Sequence, residues 1–130
     1  MRSLQLIQLL LSTLCVYAQL EFECLPGISG SALCGILVPT FCQTLQNVTF
    51  SPGDSLSRCF NIVSTNATVT QCDFTTLNVV SDVLPPSVPN CESVLENIIV
   101  GCPTGGIGQF VGGSYTFAVQ PGNTGSCSNP

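Results

Sequence analysis

The cysteines of this chain constrain its fold more than any other feature. Nine occur in 130 residues, and eight of them lie after residue 18. These eight are Cys24, Cys34, Cys42, Cys59, Cys72, Cys91, Cys102 and Cys127. An even set of this size in a short exported chain usually closes into disulfide bonds, which stabilise a small domain by limiting its unfolded ensemble. We therefore predict that all eight are oxidised and form four disulfides.

The first 18 residues have the features of a secretion signal. Arg2 supplies a positively charged start, an apolar run reaches Val16, and residues 16–18 form a small-residue cleavage pattern. The apolar run is shorter than the ~20 residues that a membrane-spanning helix needs. We expect residues 1–18 to be a signal peptide and residues 19–130 to form a single extracellular domain with no membrane span.

Charged residues are few and almost all of them are acidic. Beyond residue 18 there are seven carboxylates, and Arg58 is the only cation. Nucleic-acid binding needs clustered Lys or Arg to displace counterions, and binding to an anionic membrane surface needs the same, so neither partner is expected. Arg58 itself is expected to pair with Asp54, Asp73 or Glu92, and the alternative is a contact with an acidic sugar.

The composition also removes most catalytic chemistry. The chain has no histidine, so it lacks the usual general base, the usual partner of a Ser or Cys nucleophile and a common zinc ligand. Glu92 and Glu96 lie four positions apart on an expected helix, which invites a glycosidase interpretation. Carboxylates near a helix start more often stabilise the helix dipole. We therefore predict that the protein is not an enzyme and needs no metal or cofactor.

A first helical segment is expected over Ser31–Leu45, an apolar stretch. Ser29 or Ser31 can cap its start through a side-chain oxygen. Pro39 should interrupt it, because proline disfavours the α conformation of the preceding residue, Val38. A short second helical turn around Thr40–Leu45 is expected to follow.

A second helix is predicted over Val88–Val100, with Ser87 as its N-cap and Gly101 as a left-handed stop. Its apolar stripe contains Cys91, Leu95, Ile98 and Cys102. Cys91 and Cys102 are about three turns apart, too far to bond each other, so each must reach another element.

The remaining segments have β character. Strands are predicted over Gln46–Phe50, Leu56–Ser64, Ala67–Val80 and Ser114–Gln120. Pro52 and Gly53 suit a type II turn within Ser51–Asp54, and Gln19–Gly30 is interpreted as a linker. Sequential strands with tight turns indicate antiparallel pairing. The predicted fold class is α+β: helices packed on an antiparallel sheet of about four strands, stapled by disulfides.

The last predicted strand offers candidate binding residues. Tyr115, Phe117 and Val119 point the same way, and the favoured interpretation is that they belong to the core. The alternative makes Tyr115 a stacking platform for a sugar, because carbohydrate sites combine an aromatic ring with planar amide or carboxylate groups that meet the hydroxyls. On this alternative the glycan-binding candidates are Tyr115, Asn123, Gln109 and Asp73.

Two N-glycosylation sequons agree with the predicted export. They are Asn47-Val48-Thr49 and Asn66-Ala67-Thr68. Each predicts a solvent-facing asparagine that a glycosylating host would modify.

Several segments, taken in order, resemble a known family. They are Phe50-Ser51-Pro52-Gly53-Asp54 with Cys59, Asp73-Phe74 and Asn78, Cys91 with Cys102-Pro103-Thr104-Gly105-Gly106, and Tyr115-Thr116-Phe117 with the ending from Gln120 to Cys127. The chain resembles the small secreted mushroom glycan-binding lectins of the ink-cap type. The resemblance implies a fungal extracellular protein in which a helix packs on a small disulfide-stapled antiparallel sheet.

These observations predict a secreted, non-catalytic glycan-binding protein whose partners are extracellular glycans or glycoproteins. A shallow site would bind single sugars only weakly, so an extended glycan or self-association as a homodimer would raise the affinity. One alternative is a secreted effector or toxin-like protein that engages a protein partner, since a mean hydropathy of +0.49 favours exposed apolar surface. Another is a small inhibitor that presents the loop Ser51–Ser55.

Overall fold

A computed structural model of the protein describes residues 19–63, 68–81 and 83–127. The predicted signal peptide and the sequon at Asn66 lie outside these residues. The elements in chain order are β1 (Leu20–Cys24), a 3-10 helix (Ser31–Leu37), α1 (Val38–Thr44), β2 (Ser55–Asn61), β3 (Gln71–Asn78), α2 (Val88–Gly101), β4 (Gly106–Phe110) and β5 (Tyr115–Gly122).

The strands form one antiparallel sheet in the order β1-β4-β5-β3-β2. The predicted α+β class is confirmed, but the sheet has five strands, not about four. The additional strand is β1, which lies within the segment Gln19–Gly30 that was predicted to be a linker. Leu20, Phe22 and Cys24 alternate with two glutamates, which is the period of a strand, and in this edge strand Leu20 is the residue that packs against the core.

The sheet combines two hairpins, β2–β3 and β4–β5, and is completed where β3 pairs with β5. The strand expected over Gln46–Phe50 is wrong: only Phe50 makes an isolated bridge, to Leu84. The turn that follows is confirmed. The Asp54 backbone N–H donates to the Ser51 carbonyl over 3.0 Å, and Gly53 has φ of 81°, which a glycine adopts without strain.

The first helical segment differs from the prediction at both of its markers. The Ser31 hydroxyl caps nothing and donates to the Cys102 carbonyl over 2.7 Å, which ties the 3-10 helix to the end of α2. The predicted division near Pro39 is present, because the 3-10 helix ends at Leu37 and α1 begins at Val38, but the reason is wrong: Val38 keeps helical angles of φ −55° and ψ −50°, and Pro39 lies in the first turn of α1. Proline is tolerated there because a first-turn N–H has no intrahelical acceptor.

The second helix forms as predicted at its start. The Ser87 side chain accepts a hydrogen bond from the Asn90 N–H over 3.3 Å, and the four stripe residues are fully buried. Gly101 is not a left-handed stop: it is the last helical residue, and the helix ends where Cys102 turns extended. Within the described residues, no helix has the length and apolarity needed to cross a membrane.

The core lies between the helices and one face of the sheet. Phe41 of α1 stacks on Phe74 of β3 with ring centroids 5.0 Å apart. Helix α2 crosses β4 closely because Gly108 has no side chain, and a Cβ there would lie only 3.2 Å from the Val94 methyl group. Tight contact between helix and sheet is therefore built into the sequence at this glycine.

The prediction that all eight cysteines are oxidised is confirmed. The pairs are Cys24–Cys102, Cys34–Cys72, Cys42–Cys91 and Cys59–Cys127. As helix geometry requires, Cys91 and Cys102 bond different partners. Three of the bonds hold the helical layer to itself or to the sheet, and the fourth fixes the segment after β5 to the edge strand β2.

Candidate functional site

The sheet has one covered and one uncovered face. Side chains alternate along β3 and β5 between buried positions and partly exposed ones. In residues 19–63, 68–81 and 83–127 the helices pack only on the buried side, and we call the other side the open face. Its members are Glu21, Glu23, Ile107, Gln109, Thr116, Ala118, Gln120, Gly122, Gln71, Asp73, Thr75, Leu77, Ser55, Ser57, Cys59 and Asn61.

An open groove of about 370 Å³ lies on this face where β1, β4 and β5 meet, and we call it the β1–β4 groove. Its lining residues are Glu21, Phe22, Glu23, Ile107, Gly108, Gln109 and Thr116. The volume falls within the range of roughly 300–1,000 Å³ that is typical of small-molecule sites.

The register of the sheet brings the polar groups of the groove together. Glu21 is paired with Gln109 across β1 and β4, and Glu23 is paired with Ile107. The Gln109 amide donates to the Glu21 carboxylate over 2.9 Å, which orients both groups. Two carboxylates, an amide and a hydroxyl therefore share a shallow surface with the apolar residues Phe22 and Ile107, and such polar groups are what hydroxyl-rich ligands need.

A second polar group lies at the other end of the open face. The Gln71 amide donates to the Asp73 carboxylate over 3.3 Å and accepts from the Thr124 hydroxyl over 2.9 Å. Asn123 is exposed in the turn that follows β5. These residues form a hydrogen-bonded end to the sheet, but they do not line the β1–β4 groove.

The four predicted glycan-binding candidates are therefore not brought together. Gln109 lies in the groove, Asp73 and Asn123 lie at the far end of the open face, and Tyr115 lies on the covered face. Tyr115 is only 6% exposed, and its hydroxyl donates to the Leu84 carbonyl. Burial raises the pKa of this phenol above its usual range. The geometry of Tyr115 matches the core interpretation, because the residue shares its parity with Phe117 and Val119.

The predicted candidates did not include Glu21, Glu23, Ile107 or Thr116. The glutamates alternate with apolar residues between Leu20 and Cys24, and that pattern was the available signal. Thr116 could also have been predicted, because adjacent residues of a strand point to opposite faces and Tyr115 was assigned to the core.

The expected ion pair of Arg58 is wrong. Its guanidinium donates to the Ser57 carbonyl over 3.1 Å, and it pairs with none of the three carboxylates proposed for it. Arg58 is opposite Phe74 in the register, so its Cβ has the parity of the covered face, while its head group reaches solvent at the sheet edge.

Comparison with known proteins points to one family. The family model described as glycan binding domain Y3 matches residues 33–127. A relative, the antiviral protein CAP of Coprinus comatus, is 35% identical over 100 residues, which cover 75% of this chain and 93% of that protein. The resemblance to mushroom glycan-binding lectins is confirmed. Strand β1 lies before the residues that the family model matches.

Proposed function

The chain belongs to the glycan binding domain Y3 family, and from this premise we propose that it is a secreted, non-catalytic lectin that binds extracellular glycans in the β1–β4 groove. The observation that carries the proposal is the uncovered sheet face with a groove of planar polar groups. Family membership supplies the ligand class, and the groove supplies a surface that suits it.

The chemistry of the groove suits a sugar. The Glu21 carboxylate, the Gln109 amide and the Thr116 hydroxyl are positioned to exchange hydrogen bonds with ring hydroxyls. Ile107 offers an apolar surface to the C–H side of a pyranose ring. Phe22 also lines the groove and is 42% exposed, but its ring lies against Gly101 of α2, so hydrogen bonding, not stacking, would supply most of the selectivity.

A non-catalytic role is supported by the placement of the carboxylates. Glycosidases flank the scissile bond with two carboxyl groups, one on each side. Glu21 and Glu23 both project from β1 and would lie on the same side of a bound glycan. Glu92 and Glu96 belong to α2 in the helical layer and line no part of the groove.

Export is supported by the disulfides and by the sequence before β1. Four disulfide bonds in a small domain are typical of an oxidising compartment. The predicted signal peptide over residues 1–18 would deliver the chain there. Asn47 is exposed after α1, so glycosylation at this sequon would leave the open face free.

The name of the relative supports one target class. That protein is named an antiviral protein, and glycoproteins at the surface of a virus particle are a target class that a glycan-binding chain can reach. A shallow groove would bind a single sugar near the millimolar range, or ~4 kcal/mol. Avidity from an extended glycan or a homodimer would then provide useful affinity.

A glycan array followed by calorimetric titration of the best ligand tests the proposal. We expect Gln109→Ala and Thr116→Ala each to weaken binding by about tenfold, as loss of a hydrogen bond to a ligand does. Thr75→Ala is the matched control, because Thr75 is on the open face outside the groove. Unchanged affinity in both groove variants would move the site to Asp73 and Asn123. A blank array with affinity for a protein would instead support the effector alternative.

A further inference from the structure

We infer that the β1–β4 groove selects glycans by charge, with Glu21 and Glu23 as specificity-determining residues. It binds neutral glycans more tightly than the sialylated or sulfated forms of the same glycans. This inference rests on the proposed function and names the ligand class of that site.

The first support is that no cationic side chain in the described residues offsets the two carboxylates of β1. Both glutamates are exposed and line the groove. Arg58, the only cation after residue 18, lies on β2 at the opposite edge of the sheet, four strand spacings or about 19 Å away. That separation exceeds the Debye length of about 8 Å at physiological salt, so Arg58 does not offset the field in the groove.

The second support is the hydrogen-bonding polarity of the groove. Ionised carboxylates only accept hydrogen bonds, and one amide hydrogen of Gln109 is already donated to Glu21. The groove therefore has a surplus of acceptors and needs donors from its ligand. Sugar hydroxyls supply donors, whereas a sulfate ester or an ionised carboxylate adds only acceptors.

The third support is that the charged strand is held firmly in place. Cys24, the last residue of β1, is disulfide-bonded to Cys102 at the end of α2. The five residue pairs between β1 and β4 run from Leu20 opposite Phe110 to Cys24 opposite Gly106. Since β1 lies outside the residues that match the family model, its two carboxylates are a feature of this chain and not of that match.

The test compares one neutral array ligand with its sialylated or sulfated derivative. Two charges about 6 Å from an anionic group cost roughly tenfold in affinity at low ionic strength. We expect wild type to prefer the neutral glycan by about tenfold in low salt and by about threefold in physiological salt, because screening weakens the repulsion. Glu21→Gln/Glu23→Gln should reduce that preference to about twofold or less.

The matched control is Glu92→Gln/Glu96→Gln, which makes the same change in net charge on α2 and should leave the preference intact. The single variant Glu23→Gln, whose side chain accepts no hydrogen bond from Gln109, gives an independent measurement if the double variant fails to fold. Equal affinity of wild type for both glycans at low salt would overturn the inference and leave the proposed function standing. Equal effects of the two double variants would also overturn it, because net charge alone would then explain the preference. Binding of neither glycan would overturn the proposed function itself.

Discussion

The two faces of this sheet are built from the same strands, but one is buried in the core and the other is available to a ligand. On the covered face, β3 and β5 present fully buried apolar residues, among them Phe74 and Val119. On the open face of these strands most residues are polar or small and partly exposed, as Thr75 and Ala118 are, and Leu77 is the one large apolar side chain among them. A period of two thus separates the residues that stabilise the fold from those available to a ligand. Substitutions on the open face should therefore change binding with little effect on folding, and the reverse should hold on the covered face.

The largest effect on stability is expected from removing a disulfide, and the size of the loss should differ between a disulfide on the covered side and one on the open side. The Cys34–Cys72 bond is fully buried, whereas the Cys59–Cys127 bond joins partly exposed residues on the open side. Loop-closure entropy predicts about 4 kcal/mol for either, slightly more for the longer loop of the second pair. We expect Cys34→Ala/Cys72→Ala to destabilise more than Cys59→Ala/Cys127→Ala, because it also leaves a buried cavity. Equilibrium urea unfolding measures both, and the opposite order would mean that chain entropy outweighs packing.

A neighbouring pair on β3 sharpens the comparison at the level of single side chains. Phe74 contacts Phe41 and Phe60, with centroid distances of 5.0 and 5.7 Å. We expect Phe74→Ala to cost about 3–5 kcal/mol of unfolding free energy, since it removes a buried ring and leaves a cavity. Thr75→Ala, one position further along, should cost less than about 1 kcal/mol, since it removes only an exposed hydrogen bond between the Thr75 and Ser57 hydroxyls. A cost above about 2 kcal/mol for Thr75→Ala would contradict the division between the faces.

Tyr115 tests the covered face through its ionisation. The folded state raises the pKa of this phenol by burial, so it retains a proton that the unfolded state loses. The contribution of the protonated phenol to the free energy of unfolding should be fully present below the ordinary pKa near 10, and it should be lost as the pH rises above that value. Tyr115 is the only tyrosine after residue 18, so its absorbance titration reports on this group alone.

The matched variant is Tyr115→Phe, which keeps the ring and removes the hydroxyl that donates to the Leu84 carbonyl. We expect a loss of about 1 kcal/mol near neutral pH and a weaker decline in stability at alkaline pH. An ordinary titration in the native protein would show that the phenol is accessible to water, and the stacking role of Tyr115 would then be open again.

The smallest effect on stability is expected at the helical layer's surface. In a glycosylating host, Thr49→Ala should abolish the N-glycan at Asn47 and leave the unfolding free energy within about 0.5 kcal/mol. Thr49 is the better position to change, because Asn47 has φ of 67° and asparagine tolerates that conformation better than most residues. Mass spectrometry of the secreted protein measures the modification. An unmodified Asn47 in the wild-type protein would refute the predicted glycosylation.

Local signals with a single physical cause were predictable from the sequence. The Ser87 side chain caps the start of α2 because its oxygen accepts a hydrogen bond from a first-turn N–H. The predicted helix, Val88–Val100, agrees with the observed one, Val88–Gly101, to within one residue. The parity of Tyr115, Phe117 and Val119 predicted a buried row, since alternate residues of a strand share a face. Neither inference depends on distant parts of the chain.

The errors arose where tertiary context decides. Pro39 was predicted to exclude Val38 from the α conformation, but both residues fit in the first turn of α1, and the disulfide from Cys42 to Cys91 holds this helix in place. β1 is only five residues long and is stabilised by a strand more than 80 positions away, so its local pattern was weak. The β1–β4 groove was missed for the same reason, because two of its polar residues belong to β1.

The Cys24–Cys102 bond also fixes an order of events during synthesis. Its cysteines are 78 positions apart, and β1 must wait for β4 before it has a partner strand. Contacts of such long sequence separation form slowly, since a large loop must close first. While the ribosome is still producing α2, the glutamates of β1 lie on an unpaired strand with no groove beside them. The site assembles only when nearly the whole chain has been made, so a truncated product would retain its acidic strand and have no binding surface.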